Sequence, residues 1–114
     1  MKKKKSNLNP VDFLLQAAIK SLEDTKAFDI VTISLSGKTT FADYMVVVSG
    51  RSGRHVNAIA NNLLEYLKSI GLKKVVKEGS EKSDWVLIDA GDILVHIFRP
   101  QVRDFYKLEK IWAY

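Results

Sequence analysis

Hydrophobic and polar positions change period several times along this chain, and each change predicts an element. Val11, Leu14, Leu15, Ala18, Ile19 and Leu22 recur at helical spacing after Asn9-Pro10, an Asn cap followed by Pro at the first helical position. The spacing predicts a helix running to about Ala27. From Phe28 to Leu35 the pattern becomes alternating, with Phe28, Ile30 and Thr32 against Asp29, Val31 and Ile33, which predicts a strand closed by Ser36-Gly37. Tyr44 to Val48 is a near-continuous apolar run, the mark of an inner strand buried on both faces.

Ser52 then caps a second helix whose stripe is Val56, Ile59, Ala60, Leu63, Leu64, Leu67 and Ile70. Gly71 stands where a left-handed terminator belongs. A short strand is expected over Lys73 to Lys77, followed by a polar loop that includes Glu78-Gly79 and extends to Ser83. Trp85 to Ile88 and Ile93 to Phe98 then read as a hairpin around Asp89, Ala90, Gly91 and Asp92. A two-residue loop would force Ala90 to positive φ, so a three-residue loop with Gly91 left-handed fits better. On the return strand Ile93, Val95 and Ile97 share the aliphatic face, while Leu94, His96 and Phe98 share a mixed one. Pro100 opens a final short helix.

The order is therefore α-β-β-α-β-β-β-α, and a five-stranded mixed sheet flanked by helices is the natural way to bury it. Residues 9–114 form a single domain, with residues 1–8 expected to be a basic, disordered arm.

Composition changes this picture little. The 114 residues are 46% hydrophobic and 27% charged, ordinary for a globular protein. No apolar run is long enough for a helical membrane span, and the Lys-rich start lacks the apolar stretch of a signal peptide. A cytoplasmic location is the simple expectation. Without cysteine there are no disulfides, thiol nucleophiles or Cys-based metal sites. The net charge of +5 suggests nucleic acid until it is located: Lys2 to Lys5 supply four of those charges, leaving +1 for the rest.

Several groups invite chemistry. The turn Ser49-Gly50-Arg51-Ser52-Gly53-Arg54 joins a buried strand to a helix. Arg51 and Arg54 make it a candidate anion or RNA contact, against the simpler reading of a tight turn with solvated arginines. It has neither Walker nor dinucleotide spacing. Asp43, Asp89 and Asp92 could be imagined around Mg²⁺, yet the last two flank a hairpin tip, where Asp is a common turn former. His96 stands on the mixed face without a nucleophile whose context marks it, so a hydrogen-bonded or binding-surface role outweighs catalysis. Phe105, Leu108 and Trp112 fall at i, i+3 and i+7, a buried stripe that would leave Arg103 and Tyr106 exposed. No catalytic residue, metal or cofactor is expected.

Read together, the motifs resemble a known family. Ala42-Asp43-Tyr44-Met45-Val46-Val47-Val48-Ser49-Gly50 is similar to the ADYFVICSG-type segment of the ribosomal silencing factor, or Iojap-like, family. Glu78-Gly79, Trp85 to Asp89, Gly91-Asp92, Val95 to Phe98 and Asp104 to Glu109 follow its pattern in order, across about residues 10 to 112. Arg51-Ser52-Gly53-Arg54-His55 departs from that pattern, as does the Lys arm. The resemblance implies a nucleotidyltransferase-like fold without the catalytic carboxylates. It also implies binding to the large ribosomal subunit through its ribosomal protein number fourteen, steric obstruction of small-subunit joining, lowered translation, and a homodimer when free. On that basis Glu78, Trp85, Asp89, Asp92, His96, Phe98, Arg103 and Tyr106 are the expected partner-binding residues. Arg51 and Arg54 are candidates for a peripheral rRNA contact. The rival is a small Mg²⁺-dependent nucleotidyltransferase built on the Ser49–Arg54 turn.

Overall fold

The computed structural model describes residues 9–79 and 84–106, the last three of these by backbone alone. The elements follow the expected order: α1 (Pro10–Asp24), β1 (Phe28–Ser34), β2 (Tyr44–Ser49), α2 (Gly53–Ser69), β3 (Val76–Gly79), β4 (Trp85–Asp89), β5 (Ile93–Phe98) and α3 (Pro100–Tyr106). The strands form one sheet in the order β1-β2-β5-β4-β3. Only β2 and β5 run parallel; the other neighbours are antiparallel. The basic arm at residues 1–8 and the aromatic stripe of Phe105, Leu108 and Trp112 lie outside the described residues or side chains.

Both long helices begin as their caps dictate. The Asn9 side chain accepts from the Asp12 N–H, and the Ser52 hydroxyl accepts from the His55 N–H. They also end alike. At α2, Gly71 (φ +106°) donates to the Lys68 carbonyl and Leu72 to the Leu67 carbonyl. At α1 the same pair of bonds runs from Lys26 to Glu23 and from Ala27 to Leu22, with Lys26 at φ +64°. Helix α1 thus stops at Asp24, not near Ala27, because a lysine takes the left-handed position usually given to glycine.

Two strand boundaries also differ from expectation. The strand expected over Lys73 to Lys77 is Val76–Gly79, because it forms only where β4 supplies partners: Val76 stands opposite Asp89 and Gly79 opposite Val86. Glu78-Gly79 therefore belongs to an edge strand and not to a loop. A Cβ on Gly79 would come within 2.6 Å of the Trp85 carbonyl oxygen, so this close strand approach requires glycine. In β1 the ladder slips between Phe28 and Val31, around Asp29 at φ +53°.

One face of the sheet is sealed. Val46, Val48, Val86, Ile88, Ile93, Val95 and Ile97 pack beneath Leu14, Ala18 and Leu22 of α1 and Val56, Ile59, Ala60, Leu63 and Leu67 of α2. Gly50 lets α2 lie close, since a Cβ there would press on Val56 and Ile59 at 3.0 Å. The opposite face carries a second cluster of Ile33, Met45, Val47 and Phe98. Leu35 and Ala42 from the β1–β2 connection and Val102 from α3 pack on part of it.

Candidate functional site: the mixed face of the sheet

The hairpin loop decides which side chains stand on this second face. Gly91 adopts φ +85°, but the loop is not the expected three-residue one: the Ala90 N–H donates to the Ile93 carbonyl at 3.0 Å, leaving only Gly91 and Asp92 between that pair. The Asp89 carboxylate accepts from the Gly91 N–H at 2.9 Å and shapes the turn. This geometry sets Trp85 opposite Phe98, Leu87 opposite His96 and Asp89 opposite Leu94. Glu78 joins the same row through its pairing with Leu87. Since alternate residues share a face, Glu78, Trp85, Leu87, Asp89, Leu94, His96 and Phe98 all belong to this side.

An aromatic cluster occupies its middle. Trp85 lies 5.0 Å from Phe98 between ring centroids, tilted by 30°, and His96 stacks beside Phe98 at 6.1 Å. The indole N–H of Trp85 donates to Nδ1 of His96 at 3.0 Å. Burial pushes the His96 pKa down to about 4, so the imidazole is uncharged at neutral pH. Trp85 is half-buried, whereas Phe98 has no exposed surface. Phe98 is therefore the floor under Trp85 and presents nothing outward itself.

Arg103 is the plainest correction. The helical stripe predicts that it faces out, but only 8% of its surface is exposed. Its Nη1 donates to the Asp29 carbonyl at 2.6 Å and to the Ser49 hydroxyl at 2.8 Å. The guanidinium thus ties α3 to the left-handed residue of β1 and to the end of β2. The Tyr106 side chain lies outside those described.

The other candidates separate from this cluster. Asp92 is exposed in the hairpin turn, and its carbonyl oxygen accepts from the Asp43 and Tyr44 N–H groups at 2.8 and 3.2 Å. At the Ser49–Arg54 turn the N–H groups of Gly50 and Arg51 are already bonded, that of Gly50 to the Phe98 carbonyl at 2.9 Å. The Arg51 N–H donates to His55 Nδ1 at 3.0 Å, the His55 N–H to Ser52, and His55 Nε2 bonds the Thr25 carbonyl at 2.7 Å. A phosphate would have to displace these bonds, so Arg51 and Arg54 offer exposed charge without a preformed cradle. Among the described residues no three His, Cys, Asp or Glu side chains come together as a metal-binding group. No described helix is long and apolar enough to cross a membrane.

Sequence reasoning passed over Leu87 and Ser49. Leu87 alternates with Trp85, so the hairpin register would have found it; the Ser49 hydroxyl has no local signal, because its partner is 54 residues away.

Known proteins share both this pattern and this fold. Residues 8–114 match the family described as "Ribosomal silencing factor during starvation". The chain belongs to the ribosomal silencing factor family. A ribosomal silencing factor of Zymomonas mobilis is 45% identical over 113 residues, spanning 99% of this chain and 84% of that protein. One from Chromobacterium violaceum is 44% identical, spanning 84% and 79%. A crystal structure from the same organism superposes with a TM-score of 0.88 at 40% identity, covering 91% of this chain and 87% of its own. The mixed five-stranded sheet is thus an architecture this chain shares with that protein.

Proposed function

We propose that this chain represses translation by docking the mixed face of its sheet on the large ribosomal subunit, chiefly on ribosomal protein number fourteen. There it would occupy space the small subunit needs to join. Membership of the ribosomal silencing factor family supports the ribosomal target. The observation that carries the choice of surface is Trp85, half-buried on the sheet face that α1 and α2 leave uncovered, with Phe98 beneath it and His96 bonded to its indole. A pre-positioned aromatic with apolar neighbours is the usual centre of a protein interface.

Charge suits the same reading. Glu78 and Asp89 share the face of the cluster and Asp92 stands at the hairpin turn, acidic groups complementary to a basic ribosomal surface and acting mainly on association rate and register. Arg51 and Arg54, on a separate turn, are proposed to make the peripheral rRNA contact. The free protein is proposed to be a cytoplasmic homodimer. Arg103 and Phe98 support the face from within, while His96 acts through Trp85 as well as at the surface. The mechanism is steric and needs no bond to be made or broken; its strength follows occupancy.

Co-sedimentation with purified large subunits, followed by addition of small subunits, tests the proposal. The intact chain should pellet with large subunits and suppress joined ribosomes. Trp85→Ala should weaken binding about thirtyfold, the scale of an interface anchor, while the protein stays folded. Normal co-sedimentation of Trp85→Ala would remove this face from the interface. Failure of the intact chain to bind would remove the ribosomal reading altogether.

A further inference from the structure

One polar group on the mixed face has no partner among the described residues. An indole N–H can only donate, so its 3.0 Å contact makes His96 Nδ1 an acceptor. Burial keeps the imidazole uncharged, with a pKa of about 4, so its single ring proton must sit on Nε2. Nε2 has no hydrogen-bond partner among the described residues. The ring keeps a little accessible surface, 8% for the residue, and its Nε2 is not among the described side-chain atoms that are both fully buried and unpaired. Trp85 therefore does two things: it presents apolar surface, and it selects the tautomer that aims a donor from the middle of the sheet.

Building on the docking reading, we propose that His96 Nε2–H is the specificity-determining donor of this face, hydrogen-bonded in the complex to a neutral carbonyl oxygen of the protein partner. The acceptor's neutrality follows from the surroundings. Glu78 lies in the same cross-strand row as His96, two strands away, and Asp89 stands on the same face. A carboxylate or phosphate brought to Nε2 would meet both acidic side chains. A partner offering no acceptor would bury an unpaired N–H, which lowers affinity by about ten- to a hundredfold. Shape alone would admit many apolar surfaces, whereas this donor rejects those without a carbonyl at one position.

Two substitutions divide the roles of the ring. His96→Asn places its amide near the position of Nδ1, so it can still accept from Trp85 but has no donor at the far position. His96→Gln reaches the position of Nε2 and restores a donor there. Nitrogen-15 NMR of the free full chain, labelled at histidine, should show an unprotonated Nδ1 and a protonated Nε2 for His96 at neutral pH; the reverse would overturn the proposal. In large-subunit co-sedimentation His96→Asn should lose about ten- to a hundredfold in affinity, and His96→Gln should recover most of it. Asn binding within threefold of the intact chain would overturn the proposal, as would equal losses in both variants, which mark a packing role. A salt dependence that disappears in His96→Asn would assign the acceptor to an RNA phosphate and overturn the neutral carbonyl. If the intact chain itself fails to bind, the docking reading falls first and takes this inference with it.

Discussion

The two faces of this sheet are built from the same strands and differ in composition and in what packs on them. On one, β2, β4 and β5 contribute mainly Val and Ile, and α1 and α2 close over them. On the other, the alternate residues are Trp85, Leu87, His96, Phe98 and Leu94, mixed in size and polarity, and among the described residues one connection and a short helix pack on part of them. A face buried in the fold needs volume and no polar atoms, because an unpaired donor there costs free energy. A face kept for a partner can hold polar groups, provided they are oriented before the partner arrives. The Trp85–His96 bond does this at the centre, and Arg103 does it at one end by fixing the β1 bulge. On the docking proposal, the contrast is between packing that is finished within the chain and packing that a second molecule completes.

Truncation on each face tests that contrast most strongly. Leu63 is fully buried under the sealed face, so Leu63→Ala should cost about 2–5 kcal/mol in urea unfolding. Leu87 is half-buried, and Leu87→Ala should cost only about 1 kcal/mol yet weaken large-subunit binding clearly. If Leu87→Ala proved as destabilising as Leu63→Ala, the second face would be ordinary core, and the contrast would fail.

Acid separates the faces next. His96 has a folded pKa of about 4, below the ordinary histidine value of 6.5, because burial disfavours the cation. Between those values the unfolded chain binds a proton that the folded chain does not, so this group's contribution is complete above 6.5. It is lost progressively as pH falls toward 4. The change amounts to about 3 kcal/mol across the window. The difference in unfolding free energy between the intact chain and His96→Gln should therefore shrink over that range. A difference independent of pH would mean that the imidazole is solvated and the aromatic cluster open.

How much of this was legible depends on how local each cause is. The caps at Asn9 and Ser52 and the left-handed Gly71 are written within a few residues of the ends they set. The two faces of β5 could be read from alternation alone. Lys26 at positive φ gave no such sign, since lysine is a good helix former and reads as part of a continuing helix. The face of Trp85 waited on the hairpin register, which the pairing of Ala90 with Ile93 sets and a three-residue loop would have reversed. Arg103 was misread because a seven-residue helix has too few turns to define a buried stripe, and because its acceptor is the carbonyl of Asp29, 74 residues away. Burial of a charged side chain is decided by partners, and partners distant in sequence leave no periodicity behind.

The finest division falls within one side chain. Asp89 is proposed as an electrostatic contact, yet its carboxylate already accepts from the Gly91 N–H and holds the turn that places Trp85. A loss of binding in Asp89→Ala would therefore be ambiguous between charge and register. Asp89→Asn keeps an oxygen for the Gly91 N–H and removes only the charge. Stability should then change by less than about 0.5 kcal/mol, against about 1 kcal/mol for the alanine variant. The asparagine variant should associate with large subunits severalfold more slowly at low salt, and the gap should close as salt rises, since screening weakens the attraction the charge supplies. Association rates identical at every salt concentration would assign Asp89 to the turn alone and shift the electrostatic steering to Glu78 and Asp92. In that case the acidic groups on the partner-facing side would divide as its aromatic rings do, some shaping the surface and others meeting what docks there.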